Sequence, residues 1–392
     1  MTVPATADVA VVGGGIAGAA ACIALHGRGQ RVLWIAPDRA AETPVGESLA
    51  PAAGTVLAQL GVAHLLDGDG HRPANATFSA WGTDALVERN AAVHLAGPGR
   101  VLDRARFEAG LRELALAHAE HRSSALADAR TVSGIWRLAL ADGSQAAARF
   151  LVDASGRAAT LGRRVAGHRR DDRLVAACAF LPHRDPGVQP TPATLIEAVG
   201  DGWWYAALLP DGRLSLACFS DPDLLPRGLS RDPGAWQTLI GGTAYIARWI
   251  GDAGFGVEAP PRLYSAGTTW LDPVAGSVDG AGWAAIGDAA AAFDPLSSHG
   301  MTTALWTAER IGEAVPAWLA GDRQPLDGYT RAVADGVTAF RTQRAALYAG
   351  ERRFAGRPFW RRGAAPAAVG SAVCLLRILA GKGPGREVER PP

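Results

Sequence analysis

The chain has 392 residues, 48% hydrophobic and 20% charged, enough for two packed domains or one large domain with an appendage; this excludes a disordered or collagenous protein. Its 48 glycines and 25 prolines, without a G-X-Y period, predict many tight turns and close backbone approaches. The net charge of +1 gives no reason to expect nucleic acid binding, but it is split: residues 331–392 hold eleven arginines and Lys382 against four acids, which is +8 and leaves −7 for residues 1–330, so the tail is expected to face solvent or an acidic partner.

Residues 8–12 (DVAVV) read as a buried parallel strand, and Gly13-Gly14-Gly15-Ile16-Ala17-Gly18 then opens an Ala-rich helix to about His26. This is G-x-G-x-x-G in the context it requires. Gly13 permits the tight turn, Gly15 lets a pyrophosphate approach, Gly18 lets helix pack on strand, and the helix start at Ile16 and Ala17 offers N–H groups to phosphate. Residues 31–35 (RVLWI) supply the second strand of the unit. Ala36 stands where an acid normally holds the ribose, and the nearest carboxylate is Asp38. The apolar run 9–25 has no charged leader and belongs to this motif, so no membrane span is expected from it.

Residues 102–118 open with Arg104 and read as an amphipathic helix, and 150–157 (FLVDASGR) as a strand into a tight turn. Twelve tryptophans are an unusual load; Trp81, Trp203, Trp204 and Tyr205 fall in strands of a second, mainly antiparallel layer, able to stack an aromatic ring or to serve as core. Trp203 and Trp204 point to opposite faces, so at least one is packing. Near the far end, 283–301 (WAAIGDAAAAFDPLSSHGM) is a strand, Gly287-Asp288, and a glycine-bearing turn into the helix of 302–315. Such a late element is similar to that of two-dinucleotide-domain flavoproteins and points to FAD over NAD; the likeness implies that Asp288 accepts from the ribityl chain and that the helix N-terminus faces the isoalloxazine. His299, reference pKa ~6.5, is either a proton-transfer group or a histidine bonding a loop carbonyl. The apolar stretch 364–376 is too short to span a membrane. Cys22, Cys178, Cys218 and Cys374 stand too far apart for a C-x-x-C metal or redox pair, which favours a reducing, cytoplasmic setting.

VVGGGIAGAAA, the segment Val45-Gly46-Glu47-Ser48-Leu49-Ala50-Pro51, DASGR and GDAAAAFDPLSSHGM together resemble the FAD-dependent tryptophan-halogenase superfamily, related to class A flavoprotein monooxygenases. Residues 194–223 and 344–362 are more similar to the maturases of quinone cofactors, the LodB, GoxB and QhpG type, than to true halogenases. The resemblance implies an α/β fold: a Rossmann-type FAD-binding domain over 1–60, 101–165 and 281–330, an antiparallel-sheet substrate domain over 61–100 and 166–280, and a helical C-terminal segment over 331–392. It implies cofactor contacts from Gly13, Gly15, Ile16, Ala17, Gly18, Asp38, Glu47, Ser48, Arg104, Asp288, Pro295, Ser298, Gly300 and Met301, catalysis by His299 and Glu47, and substrate contacts from Trp81, Trp203 and Tyr205. No metal is implied.

A halogenase passes its oxidised halogen through a lysine ammonium, and this chain has no lysine before Lys382. The W-x-W-x-I-P signature is also broken, with Trp203-Trp204-Tyr205-Ala206-Ala207 in its place, and arginine is a poor substitute for lysine because its proton is not labile. The expectation is therefore an FAD-dependent monooxygenase that uses O2, through a flavin C4a-hydroperoxide, to hydroxylate a tryptophan-like or phenolic ring, free or within a peptide or protein. A halogenase and a geranylgeranyl-reductase-like flavoprotein reductase are the alternatives. Electrons are expected from NAD(P)H or a partner flavin reductase, since no second dinucleotide fingerprint appears. The short stretch after Met301 implies a small cap and an open pocket.

Overall fold

Four largely apolar runs and the short polar strand Glu120–Arg122 form the parallel part of the first sheet. The computed structural model describes residues 7–38, 45–90 and 98–364; the tail beyond 364, with its apolar stretch, Cys374 and Lys382, lies outside the described residues. In this sheet the order is Ala275–Val278, Ala281–Ala285, Gln145–Asp153, Ala7–Val12, Val32–Ile35 and Glu120–Arg122, the last five parallel, and the hairpin Leu126–Val132/Ile135–Leu140 is attached to Gln145–Asp153. The register sets Val12 opposite both Ile35 and Asp153, and Asp153 opposite Ala285. The carboxyl ends of four strands thus finish in one row, where α/β sheets place their ligands.

Helix Ile16–His26 is buried along nearly its whole length, against the sheet and against helix Gly300–Leu319. Small residues make that close approach possible: a Cβ on Gly312 would lie 2.8 Å from the Ala24 Cβ, and one on Gly18 only 2.0 Å from the Gly13 carbonyl oxygen. The Trp34 indole N–H donates to the Gly13 carbonyl at 2.9 Å, the Thr307 hydroxyl accepts from the Gly287 N–H at 2.9 Å, and the Tyr329 hydroxyl donates to the Ala285 carbonyl at 2.6 Å. Each bond fixes a turn at the row of strand ends.

A second sheet of seven strands runs Arg262–Ser265, Val175–Leu181, Leu214–Ser220, Gly202–Leu208, Thr194–Val199, Ala76–Ala80 and Val87–Asn90, antiparallel except where Thr194–Val199 meets Ala76–Ala80. Its back carries Trp204, stacked on Trp236 with ring centroids 5.0 Å apart, beneath helices Pro233–Gly241 and Tyr245–Asp252. Its front carries Trp203, stacked on Phe219 at 4.0 Å. With both faces covered, Leu214–Ser220 is buried at every position and reads as an unbroken run.

The C-terminal segment contributes helices Gln324–Gly350 and Pro358–Gly363. Among the described residues no helix is long and apolar enough to cross a membrane. The molecule is thus a mixed α/β fold with one largely parallel sheet, one largely antiparallel sheet and a helical C-terminal segment.

Candidate active site

Between the row of strand ends and the front of the second sheet lies a cavity of about 650 Å³. The first sheet contributes Gly13 to Ala17, Ile35, Pro37 and Ala154 to Arg157; the turn into helix Gly300–Leu319 contributes Asp288, Pro295 and Ser297 to Met301. The opposite wall is Ala176, Cys178, Trp203, Tyr205, Ser215, Ala217, Phe219 and Tyr264, and the edge is closed by Val45 to Ser48 and Arg104. Of the residues singled out from sequence, Gly13, Gly15, Ile16, Ala17, Glu47, Ser48, Arg104, Trp203, Tyr205, Asp288, Pro295, Ser298, His299, Gly300 and Met301 all meet here.

Three stand elsewhere. Gly18 is the packing glycine just described. Asp38 is turned to Arg112 at 2.6 Å and accepts from the Ser123 hydroxyl, which holds its carboxyl below the usual carboxylate range, first through Ser123 and then through the Arg112 charge. Trp81 lies behind the wall, with ring centroids 6.3 Å from Trp203, 5.9 Å from Tyr348 and 5.1 Å from Trp360, and its indole N–H donates to the Leu347 carbonyl at 3.0 Å.

Each lining side chain is set by a local reason. The Arg104 guanidinium donates to the carbonyls of Val45 (2.8 Å) and Gly46 (2.5 Å), fastening the segment that carries Glu47. Asp153 spends its carboxylate on its own turn, accepting from the N–H groups of Ser155, Leu161 and Gly162 at 2.8–3.0 Å, and this presents Ser155 and Arg157 to the cavity. Asp294, fully buried, accepts from Leu296 N–H, from Arg344 Nε at 2.9 Å and from the Tyr348 hydroxyl at 2.6 Å; Tyr348 in turn accepts from the Trp203 indole at 3.1 Å. Helix Gln324–Gly350 therefore holds both the turn before His299 and the Trp203 wall.

No family model matches the chain. The FAD-dependent oxidoreductase LodB of Marinomonas mediterranea is 26% identical over 369 residues, 91% of this chain and 96% of that protein. The menaquinone reductase of Mycobacterium tuberculosis is 30% identical over 341 residues, 80% of this chain and 77% of that protein. Among solved structures, the myxobacterial chondrochloren halogenase CndH superposes with a TM-score of 0.81 at 21% identity, over 93% of this chain and 87% of that one. The peptidyl tryptophan dihydroxylase QhpG, essential for tryptophylquinone cofactor biogenesis, gives 0.73 at 24% identity, over 94% and 81%. The chain belongs to the family of the menaquinone reductase, and in fold it is similar to the tryptophan-halogenase-like FAD-dependent flavoproteins. It is an FAD-dependent oxidoreductase.

The residues present fit the flavin cofactor. Two long helices point their N-termini into the cavity, and neither has a side-chain cap: Gly15 precedes one and His299, bonded elsewhere, the other. First-turn N–H groups left this way call for an anion or a polarised acceptor. A Cβ on Gly15 would meet no protein atom within 4 Å, so it would project into the cradle itself. Glu47 Oε1 and the Tyr205 hydroxyl are buried at the cavity wall without a hydrogen-bond partner.

The electrostatics of this flavoprotein site follow from enclosure. Burial raises the Glu47 carboxyl above the usual carboxylate range, opposed by the neighbouring Tyr205, the Ser215 hydroxyl, which donates to Oε2 at 3.1 Å, and the Arg104 charge. Burial likewise raises Asp288, opposed by Arg157, whose Nε lies 3.5 Å from Oδ2. Burial lowers His299 below the ordinary imidazole range and so keeps it neutral at pH 7. Cys178 is pushed up to about 12 by burial and by the Glu47 charge and is a thiol, not a nucleophile. Cys178, Ser215 and Tyr264 were not singled out from sequence. Cys178 and Ser215 sit in apolar strands whose pattern does not say which face meets the cavity, and Tyr264 in a short, mostly exposed edge strand.

Proposed function

We propose that this flavoprotein is a monooxygenase that hydroxylates an electron-rich aromatic ring, tryptophan-like or phenolic, carried on a peptide or protein. The observation that carries the reading is the set of ionisable groups around the cavity: Glu47, Asp288 and His299 with Arg104 and Arg157, and no amine. Residues 1–381 contain no lysine, so the cation that halogen transfer requires is missing from this part of the chain, whereas hydroxylation needs none.

FAD, when bound, supplies two-electron redox chemistry and the activation of O2, with electrons from NAD(P)H or a partner flavin reductase. The chain's own residues do the rest. Gly13, Gly15, Ile16 and Ala17 would hold the pyrophosphate of FAD, Asp288 with Arg157 and Arg104 would bind its polar chain, and the helix N-terminus at Gly300 and Met301 would favour negative charge on its ring system. Trp203, buried and stacked on Phe219, stiffens the wall against which the substrate ring would rest. Glu47, whose Oε2 accepts from Ser215, leaves Oε1 beside Tyr205 for a hydrogen bond at the cavity wall. His299, held neutral, takes up the proton that leaves the ring carbon as the C–O bond forms. The apolar wall excludes water while this happens.

The identity to menaquinone reductase supports a second reading, a flavoprotein reductase that works without oxygen. One experiment separates the readings: FAD-loaded protein is given NADH, a flavin reductase, bromide, isotopically labelled O2, and tryptophan, free or in a short peptide. A product heavier by labelled oxygen is expected. A brominated product, or substrate reduction that proceeds anaerobically, overturns the proposal.

A further inference from the structure

The seven-stranded sheet ends at strand Arg262–Ser265, which pairs with Val175–Leu181 on one side and with no strand on the other among the described residues. The Ala266 N–H donates to the Leu174 carbonyl at 2.8 Å, and alternation along an antiparallel ladder then turns the backbone groups of Leu263 and Ser265 away from the sheet. The strand carries, beside Arg262, an exposed Leu263 (44%), an apolar side chain that open edges normally avoid.

This edge adjoins the active site. Tyr264 and Ser265 line the cavity and also a surface groove of about 430 Å³ formed with Arg170, Arg173, Val175, Pro222 and Leu263. Among the described residues that line the groove, the charged ones are Arg170 and Arg173, both exposed. Their neighbours Asp171 and Asp172 are already paired, with Arg341 at 2.7 Å and Arg344 at 3.2 Å. The groove is therefore cationic where it meets the open strand.

We propose that the edge strand Arg262–Ser265 docks the substrate as an extended peptide, added as an eighth strand, with an acidic residue flanking its aromatic residue and meeting Arg170 and Arg173. This rests on the reading of an aromatic, peptide-borne substrate. Tyr264 pairs with Ala176, which lines the cavity, so a peptide residue in register with Tyr264 projects its side chain to the cavity face and its neighbours to the other. Backbone pairing gives affinity, and the arginines select the flank.

The test is a binding measurement that needs no turnover. Fluorescence anisotropy of labelled ten-residue peptides on the FAD-loaded protein compares Trp flanked by Asp and Glu with Trp flanked by Lys. The acidic peptide is expected to bind about 10-fold tighter, the sum of two rim charge pairs. The double variant Arg170→Glu, Arg173→Glu reverses the preference, and Leu263→Pro, which removes an outward N–H without touching the inner ladder, weakens both peptides. Flavin content and NADH oxidation in the absence of peptide stay at wild-type level in both variants. Equal affinity for the two peptides, or binding indifferent to both variants, overturns the docking site. If binding behaves as expected but no oxygen enters the peptide, the docking site stands and the hydroxylase reading falls.

Discussion

The two walls of the cavity are made of different materials. The first-sheet wall is mostly backbone: glycines, strand ends and two uncapped helix starts, with charge supplied by N–H groups. The second-sheet wall is mostly side chain: Trp203, Tyr205, Ser215, Phe219 and Tyr264, on three different strands. A backbone wall tolerates few substitutions and binds one cofactor class, whereas a side-chain wall can be rewritten residue by residue without disturbing the sheet. Cofactor identity and substrate choice are thereby separated into two layers, joined by helix Gln324–Gly350 through Asp294, Arg344 and Tyr348.

That junction is the place to break the comparison. Asp294→Ala leaves Arg344 with Asp172 alone and removes the acceptor of the buried Tyr348 hydroxyl, and is expected to cost about 2–4 kcal/mol of stability, read by denaturant unfolding. Loss below about 1 kcal/mol would mean the two layers hold together without it. His299→Gln is expected to lower kcat on the oxidised substrate by about 100-fold with little change in KM. Because burial depresses its pKa, His299 is neutral above the ordinary imidazole value, so the wild-type rate should hold from neutral pH down past ~6.5 and fall only in more acid solution. The variant should lack that acid limb.

The backbone wall is sharpened by Gly15→Val. It adds a side chain that meets no protein atom, so the fold is expected to survive while FAD affinity falls about 10- to 100-fold, measured by flavin absorbance against circular dichroism. The side-chain wall is sharpened by Glu47→Gln, which mimics the protonated form. Burial raises the Glu47 pKa, so any stability due to the neutral carboxyl is present at low pH and is lost as pH rises through the folded-state value. The amide should flatten that alkaline decline and change activity less than about 10-fold near neutrality.

The same contrast governs what could be read in advance. Gly13, Gly15, Gly18 and the Gly287-Asp288 turn were legible because backbone geometry tolerates so few alternatives at those positions. The adjacency of Trp203 and Trp204 also told that they face opposite ways, as they do. Ser215 was not legible: in a strand covered on both faces, alternation disappears. Neither was the role of Asp294, whose partners lie some fifty residues on, nor the retreat of Trp81 behind Trp203, which depends on the C-terminal helices closing over it. Asp38 was chosen by chain position alone, and Arg112 and Ser123 claim it through contacts that are distant in sequence.

The two uncapped helix starts also bear on how the protein is made and kept. Neither helix start is closed by a side chain of the protein, so solvent or a ligand must meet their N–H groups. Ligand linkage then makes flavin a folding partner: at a free concentration 100 times its dissociation constant it adds about 2.7 kcal/mol to the native state. A cell short of flavin would lose this protein to proteolysis before it lost the activity of the molecules that remain.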